Sequence, residues 1–332
     1  MPTLTAASTR FLPLVYHPLY SQLVLPAQHR YPISKYQRLY QYVVDTLPLA
    51  EQDDVDHETP LRLFTPQPID IAHLKALHQP DYIDALLHNQ LPAAKMRRIG
   101  FPWSQPLIDR TLMSSGGTLR TVELAHEYGV GIHLSGGYHH AHHDFGSGFC
   151  LVNDLALAAK HALTLEGIDT VMIIDCDVHH GDGTATLLAD DPNIITFSVH
   201  CDKNFPARKP DSDIDLPLPR ATSTTDYLDA FRGILPLALA QHQPDLIIYD
   251  AGVDIHQDDE LGYFNVCTQG IYQRDYLVFS LCQHADIPVA AVIGGGYRSD
   301  HQLLVHLHAQ LIHAALAVHV FPVPNDGSSG LS

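Results

Sequence analysis

Basic residues are scarce in this chain of 332: 19 Lys and Arg stand against 37 Asp and Glu, a formal net charge of −18. Such a balance repels a phosphate backbone and excludes nucleic acid as an expected ligand. It favours basic or cationic partners such as lysine-rich protein segments or polyamines. Cysteine is sparser still. The five (Cys150, Cys176, Cys201, Cys267 and Cys282) are an odd number with no Cys-x-x-Cys pair, which argues against a disulfide framework and for free thiols in a reducing compartment. No basic-then-apolar leader is present, and the most apolar late stretch, 303–321, is broken by His306, His308, His313 and His319. A cytoplasmic protein without a membrane span is therefore expected. Nothing resembles a linker or a repeat, so one large α/β domain, running to about residue 324, is favoured over two small ones. The Gly- and Ser-rich tail 325–332 has too little apolar content to order itself.

What is present alternates regularly. Short apolar runs suited to buried strands fall at Leu12–Tyr16, Gly131–Leu134, Val171–Asp175, Ile194–Val199, Leu246–Tyr249 and Val289–Ile293. Helix-length amphipathic stretches lie between most of them: Ser34–Leu47, Asp81–Leu87, Leu107–Tyr128, Asn153–Leu165, Thr225–Gln241, Gln269–His284 and Asp300–Val320. That alternation predicts a doubly wound parallel sheet with helices on both faces, whose ligand crevice lies outside the carboxyl ends of the strands. Asp175 closes one strand, Asp250 and Asp254 follow another, and Gly294-Gly-Gly-Tyr297 follows a third.

Two separated segments read as halves of one metal site: Gly136-Gly-Tyr-His139-His140 and Asp175-Cys-Asp177-Val-His179-His-Gly-Asp182-Gly. Asp175, Asp177 and His179 alternate, so a continuing strand sets them on one face, and a turn at 181–183 lets Asp182 fold back. Buried carboxylates so grouped are heavily penalised unless something binds them. A catalytic zinc keeps three protein ligands and one open position, so Asp177 and His179 need a third. Asp254, on a glycine-containing turn, is the best candidate, with Asp250 a competitor; the acidic run after Asp254 reads as a solvated loop. Adjacent imidazoles suit a division of labour, one activating a water and protonating the leaving amine, the other stabilising charge. Asp175 and Asp182 can supply the carboxylates that orient them. His142 and His143 are left out of the site. Tyr297, after three glycines, can donate its phenol to an oxyanion. Each residue alone has a structural alternative: a helix cap for Asp, a loop pair for His179-His180, an ordinary turn for the glycines. No Lys-Ser/Thr follows the glycines, so a phosphate cradle is disfavoured.

Together the motifs resemble the zinc-dependent histone deacetylases, within the arginase–deacetylase fold. The resemblance runs from Val15-Tyr-His-Pro and His29-Arg-Tyr-Pro through Ser135–Ala141, Gly146–Asp154 and Asp175–Gly183 to Gly294–Tyr297. The early segments and Ala251-Gly-Val-Asp254 are closer to class IV and bacterial deacetylase-like proteins than to class I enzymes. Position by position, the resemblance implies zinc on Asp177, His179 and Asp254, with ferrous iron an alternative that the same donors accept. It implies His140 as general base and acid backed by Asp182, His139 as electrostatic partner backed by Asp175, and Tyr297 as the group that polarises the carbonyl. Phe149 and Phe205 match the aromatic pair flanking an acyl-lysine tunnel, with the Gly148 carbonyl in the same channel. A structural potassium ion is implied at Asp175, Asp177, His179, Ser198 and Val199, mostly through backbone oxygens. Tyr138 departs from the Trp or Phe of many relatives, a change expected to affect tunnel walls and not chemistry. The expected reaction is hydrolysis of an N-acyl-lysine amide or of a small N-acyl amine. Acetylpolyamine hydrolysis, suited to an acidic mouth, is the nearest alternative; a binuclear manganese ureohydrolase and a non-catalytic acyl-lysine-binding module are further ones.

Overall fold

A computed structural model describes residues 11–51 and 59–321. The end expected near residue 324 and the tail 325–332 lie outside the described residues. In chain order the elements are β1 (Leu12–Val15), α1 (Lys35–Thr46), β2 (Leu49–Glu51), β3 (Leu61–Phe64), α2 (Ile71–Leu77), α3 (Pro80–Leu87), α4 (Ala93–Ile99), α5 (Gln105–Tyr128), β4 (Val130–His133) and α6 (Asp154–Ala162). There follow β5 (Val171–Asp175), α7 (Asp182–Leu188), β6 (Ile194–Cys201), β7 (Ile214–Leu218), α8 (Thr224–His242), β8 (Leu246–Asp250), α9 (Thr268–His284), β9 (Val289–Val292) and α10 (His301–Ala315).

The nine described strands form one sheet in the order β2-β3-β1-β4-β9-β8-β5-β6-β7, and every pairing is parallel. Parallel strands need crossover connections, and the helices that supply them fall into two packed groups, α2, α3, α5, α6 and α7 in one and α1, α8, α9 and α10 in the other. With both faces covered, the central strands can be apolar throughout, as Val171-Met-Ile-Ile in β5 and Leu246-Ile-Ile-Tyr in β8 are. Helix starts carry their own signals. Ser104, Asn153, Ser223 and Asp300 each accept a backbone N–H from the first turn of the helix they precede.

Three strands escaped the apolar-run reading. β2 has three residues, β3 carries Arg62, whose guanidinium lies over the Phe11 ring at 4.0 Å, and β7 (Ile-Asp-Leu-Pro-Leu) is a half-polar edge that tolerates Pro217. Helices α2 and α4 were also missed, being seven residues each. The late helix leaves α geometry at Leu316 and ends in a π turn. Among the described residues, His301–Val320 is the one helical segment long and apolar enough to cross a bilayer, and more than half of it is buried within the fold.

From β5 the chain steps outward through β6 and β7, then returns to the other side of β5 as β8 and β9. The carboxyl ends of β5 and β8 therefore flank a topological switch point, where an open α/β sheet leaves a crevice. Asp175 and Asp250 face each other there in register.

Candidate active site

The strand expected to carry Asp175, Asp177 and His179 on one face does not continue: β5 stops at Asp175. The three are gathered instead by carboxylates folding onto the backbone. Asp175 Oδ1 accepts from Asp177 N at 3.1 Å, Asp177 Oδ1 from His179 N at 2.9 Å, and Asp254 Oδ1 from Val178 N at 2.8 Å. The expected turn at 181–183 is the start of α7, with Asp182 its first residue. Buried Arg274 of α9 donates to the carbonyls of Cys176, Ala251 and Gly252, tying together the loops that follow β5 and β8.

Asp177, His179 and Asp254 converge. His179 Nδ1 lies 2.9 Å from Asp177 Oδ1 and 3.1 Å from Asp254 Oδ2, and the three side chains form a group whose ligand atoms lie within 4.8 Å of one another. Asp254 is wholly buried, and among the described residues its Oδ2 has no partner besides this close contact with His179 Nδ1. Burial and the neighbouring Asp177 push the Asp254 carboxyl up to about 7, while His179, despite its burial, is lifted to about 10 by these two carboxylates. An imidazole is thus held between acids that both want a cation, and the donor set of one nitrogen and two carboxylates fits a divalent metal. A Cβ at Gly295 would overlap Asp177 Oδ2 and Asp254 Oδ2, so the loop after β9 closes directly over this group. Asp250 belongs to a neighbouring group with His139 and Asp175. Both its oxygens are buried without hydrogen-bond partners among the described residues, and burial, then the charge of Asp175, push its carboxyl well above the usual range.

His139 Nδ1 donates to Asp175 Oδ2 at 2.8 Å, and His140 Nδ1 donates to Asp182 Oδ1 at 2.6 Å. The two Nε2 atoms lie 3.1 Å apart. Burial opposes charge on His139, but Asp175 and Asp177 hold it well above the ordinary imidazole range. Burial and the charge of His139 press His140 down to about 3. The pair therefore divides into a charged ring and a neutral one, with His140 Nε2 as proton acceptor. His142, left out on sequence, joins this network: its Nε2 meets the other oxygen of Asp182 at 3.0 Å. His143 does not, and bonds the Leu77 carbonyl at the surface.

A cleft of about 630 Å³ opens above these groups, lined by His140, His179, Tyr297, Gly148, Phe149 and Phe205 among others. Phe205 stands edge-on to His140, ring centres 4.8 Å apart, and Phe149 lies 5.8 Å from Tyr297. Gly148 and Phe149 both have positive φ, 52° and 66°, and a Cβ at Gly148 would run into the His140 ring. Strain in the left-handed region is thus accepted to set one wall of the cleft. Burial and the nearby Asp177 and Asp254 push the Tyr297 phenol well above 10, so it remains a donor.

In the acidic run expected to be a solvated loop, Asp258 and Glu260 are exposed, but Asp259 clamps Tyr297. Asp259 Oδ2 accepts from Tyr297 N at 2.7 Å, and its Oδ1 accepts from Leu261 and Gly262. Lys35 is a second residue not anticipated from sequence: buried, it donates to the Gly294 carbonyl at 2.9 Å and is lowered by burial to about 8. Tyr138 lines a small inner cavity with Gly148, Phe149 and Tyr297. Its hydroxyl is buried against Arg110, Ser114 and Ser135, behind the cleft and not on its walls. Ser198 faces Asp175 in the β5–β6 register with Val199 beside it, and Asp177 and His179 occupy the loop just beyond.

The histone deacetylase domain family matches residues 29–311. An uncharacterized protein of Picosynechococcus sp. is 42% identical over 92% of this chain and 99% of its own length. Histone deacetylase 2 of Arabidopsis thaliana is 36% identical over 55% of this chain and 48% of its own, so the match spans about half of that relative. The acetoin utilization protein AcuC of Staphylococcus aureus is 29% identical over 72% of this chain and 67% of its own. A crystal structure of the HDA15 HD domain shares the fold, with a TM-score of 0.73 at 18% identity over 94% of this chain and 96% of that one. A nine-stranded parallel sheet whose switch point gathers these groups thus has a family, and this chain belongs to the histone deacetylase family of hydrolases.

Proposed function

We propose that the protein hydrolyses the amide bond of N-acyl-lysine in proteins or peptides, using a zinc ion held by Asp177, His179 and Asp254. One observation carries this reading: a buried carboxylate–imidazole–carboxylate group, whose ligand atoms converge within 4.8 Å of one another, lies at the floor of an aromatic-walled cleft, beside a polarised histidine pair and a phenol donor. The cation would supply Lewis acidity toward the amide carbonyl and acidify a water; ferrous iron suits the same donors.

The chain's own groups do the rest. His140, with Nδ1–H committed to Asp182, offers Nε2 to take a proton from the attacking water and return it to the leaving amine. His139, charged against Asp175, steadies negative charge as it develops. Tyr297 donates to the carbonyl oxygen. Phe149 and Phe205 enclose the lysine methylenes, and the Gly148 carbonyl accepts the amide N–H. Behind the site, backbone oxygens of Asp175, Asp177, His179 and Val199 with Ser198 form the seat proposed for potassium, which would stiffen the loop after β5.

The test is an acyl-chain panel of lysine peptides, with acetylated polyamines alongside, assayed on protein of measured metal content. His140→Ala and Tyr297→Phe are each expected to lower turnover by at least about a hundredfold while one metal per chain is retained. Full activity in both variants refutes these roles. Binding without product release marks a non-catalytic module, and two metals per chain would point to a ureohydrolase-type centre.

A further inference from the structure

The cleft mouth is basic in a strongly acidic molecule. Arg98 and Arg208, both exposed, line the cleft, and an adjoining hollow that shares Asn204, Phe205, Ala207 and Tyr263 with it adds Lys203, Lys209 and Arg220. Five of the chain's 19 cationic side chains therefore crowd one opening. The acids lining the same surfaces are two. Asp182 is buried with its oxygens taken by His140 and His142, and Asp202 is paired with Lys203 at 3.0 Å. Elsewhere on the surface several cations sit on carboxylates, as Lys75 does on Asp84, Arg120 on Glu123 and Lys160 on Asp191, while exposed Arg30, Arg38 and Arg97 lie scattered and, among the described residues, without an ion pair. Among the described residues, Arg98, Arg208, Lys209 and Arg220 form no ion pair.

Three of the four are positioned by contacts that leave the charge uncancelled, and Arg208 stands exposed at the cleft rim. The Arg98 guanidinium lies over the Phe145 ring at 3.8 Å and that of Arg220 over Tyr263 at 3.6 Å. Lys209 Nζ donates to the carbonyls of Asp202, Asn204 and Pro206, which anchors a positive charge beside the Phe205 wall. Screening confines each charge to roughly 10 Å at ordinary salt, so an arriving substrate meets this local field and not the molecular total of −18.

Resting on the deacylase reading of the cleft, we infer that the mouth selects acyl-lysine in an acidic sequence context and disfavours both lysine-rich tails and acylated polyamines. Carboxylates flanking the acyl-lysine would pair with Arg98 and Arg208, whereas a second ammonium would be repelled. The whole-chain charge had suggested the opposite preference.

Fluorescence anisotropy with labelled acetyl-lysine peptides of equal length, carrying Asp/Glu, Ser/Gly or Lys/Arg flanks, tests this on the metal-loaded protein, with initial rates measured alongside. The acidic peptide should bind about five- to tenfold more tightly than the neutral one, the basic peptide should bind more weakly, and 0.5 M salt should compress the spread. Arg98→Glu/Arg208→Glu should invert the ranking; should that variant fail to fold, the salt series on the unaltered chain still decides. Equal affinities, or tighter binding of the basic peptide, overturn the inference whether or not any peptide is cleaved. If the acidic peptide binds best and none is cleaved, the inference about the mouth stands and the hydrolase reading falls.

Discussion

Asp259 is a carboxylate that fastens the backbone of Tyr297, the residue proposed to polarise the substrate carbonyl. Tyr297 follows three glycines, Gly294–Gly296, a stretch with little intrinsic stiffness, and its backbone N–H is held by Asp259 Oδ2 while the Tyr297 carbonyl accepts from Glu260 N. The other oxygen of Asp259 takes two backbone N–H groups of its own loop, so the side chain fastens one loop to another. Asp259→Ala should leave metal content unchanged and lower kcat about tenfold or more, because the phenol loses its fixed distance to the carbonyl oxygen. Asp259→Asn, which keeps an acceptor, should recover part of the loss. A kcat equal to that of the unaltered chain in Asp259→Ala, measured at saturating acyl-lysine peptide, would show that the glycine loop orients Tyr297 unaided.

At the scale of elements, the loop after β9 is as constrained as the proposed metal ligands it covers. Gly295 donates to Asp177 Oδ2 at 3.0 Å, and a Cβ there would occupy the space of the Asp177 and Asp254 oxygens. Gly295→Ala should therefore abolish tight metal binding, read as metal per chain after dialysis, and lower the thermal midpoint. Gly233 offers the contrast: it lies within α8, and a Cβ there meets nothing within 4 Å. Gly233→Ala should stabilise the protein by about 0.5–1 kcal/mol in a denaturant titration, through lost freedom of the unfolded chain. Equal behaviour of the two substitutions would remove the distinction. The same scale explains what the sequence disclosed. The six central strands were legible because burial on both faces leaves continuous apolar runs, whereas β2, β3 and β7 are short or half-polar and lie toward the sheet edges. The residues gathered by short motifs, Asp177 with His179 and His139 with His140, could be read directly. Their grouping could be read as well, but not how it is achieved: alternation suggested a strand face, and the molecule uses backbone-capping carboxylates in a loop. Asp259 and Lys35 stayed hidden because each reaches the site across the fold, the one to Tyr297 and the other to the Gly294 carbonyl, and no local pattern marks a residue whose partner is 38 or 259 positions away.

At the scale of the molecule, the 24 histidines make acid the natural stress. Several are buried as neutral rings far from the proposed metal ligands in sequence. His78 is fully buried between the α2–α3 junction and the segment before α6, its Nε2 accepting from Asn153 N at 3.1 Å and its Nδ1 donating to the His142 carbonyl at 2.8 Å. Burial lowers its pKa from 6.5 to about 4, and burial also lowers His133 to about 3 and His319 to about 4. A group whose folded pKa lies below its unfolded value leaves the unfolded chain holding more protons across the interval between them. Stability from these rings is therefore fully present above pH 6.5 and is lost as pH falls from 6.5 toward 4. For His78 alone the loss would approach about 3 kcal/mol. The thermal midpoint, followed in EDTA so that loss of metal does not enter, should fall progressively from pH 7 to pH 4.5. Carboxylates add to that fall, so the decisive comparison is His78→Gln, which cannot titrate: its midpoint should start lower at pH 7 yet decline less steeply. Parallel curves for the variant and the unaltered chain would mean that His78 is not held neutral, and the acid response would then belong to the other buried groups.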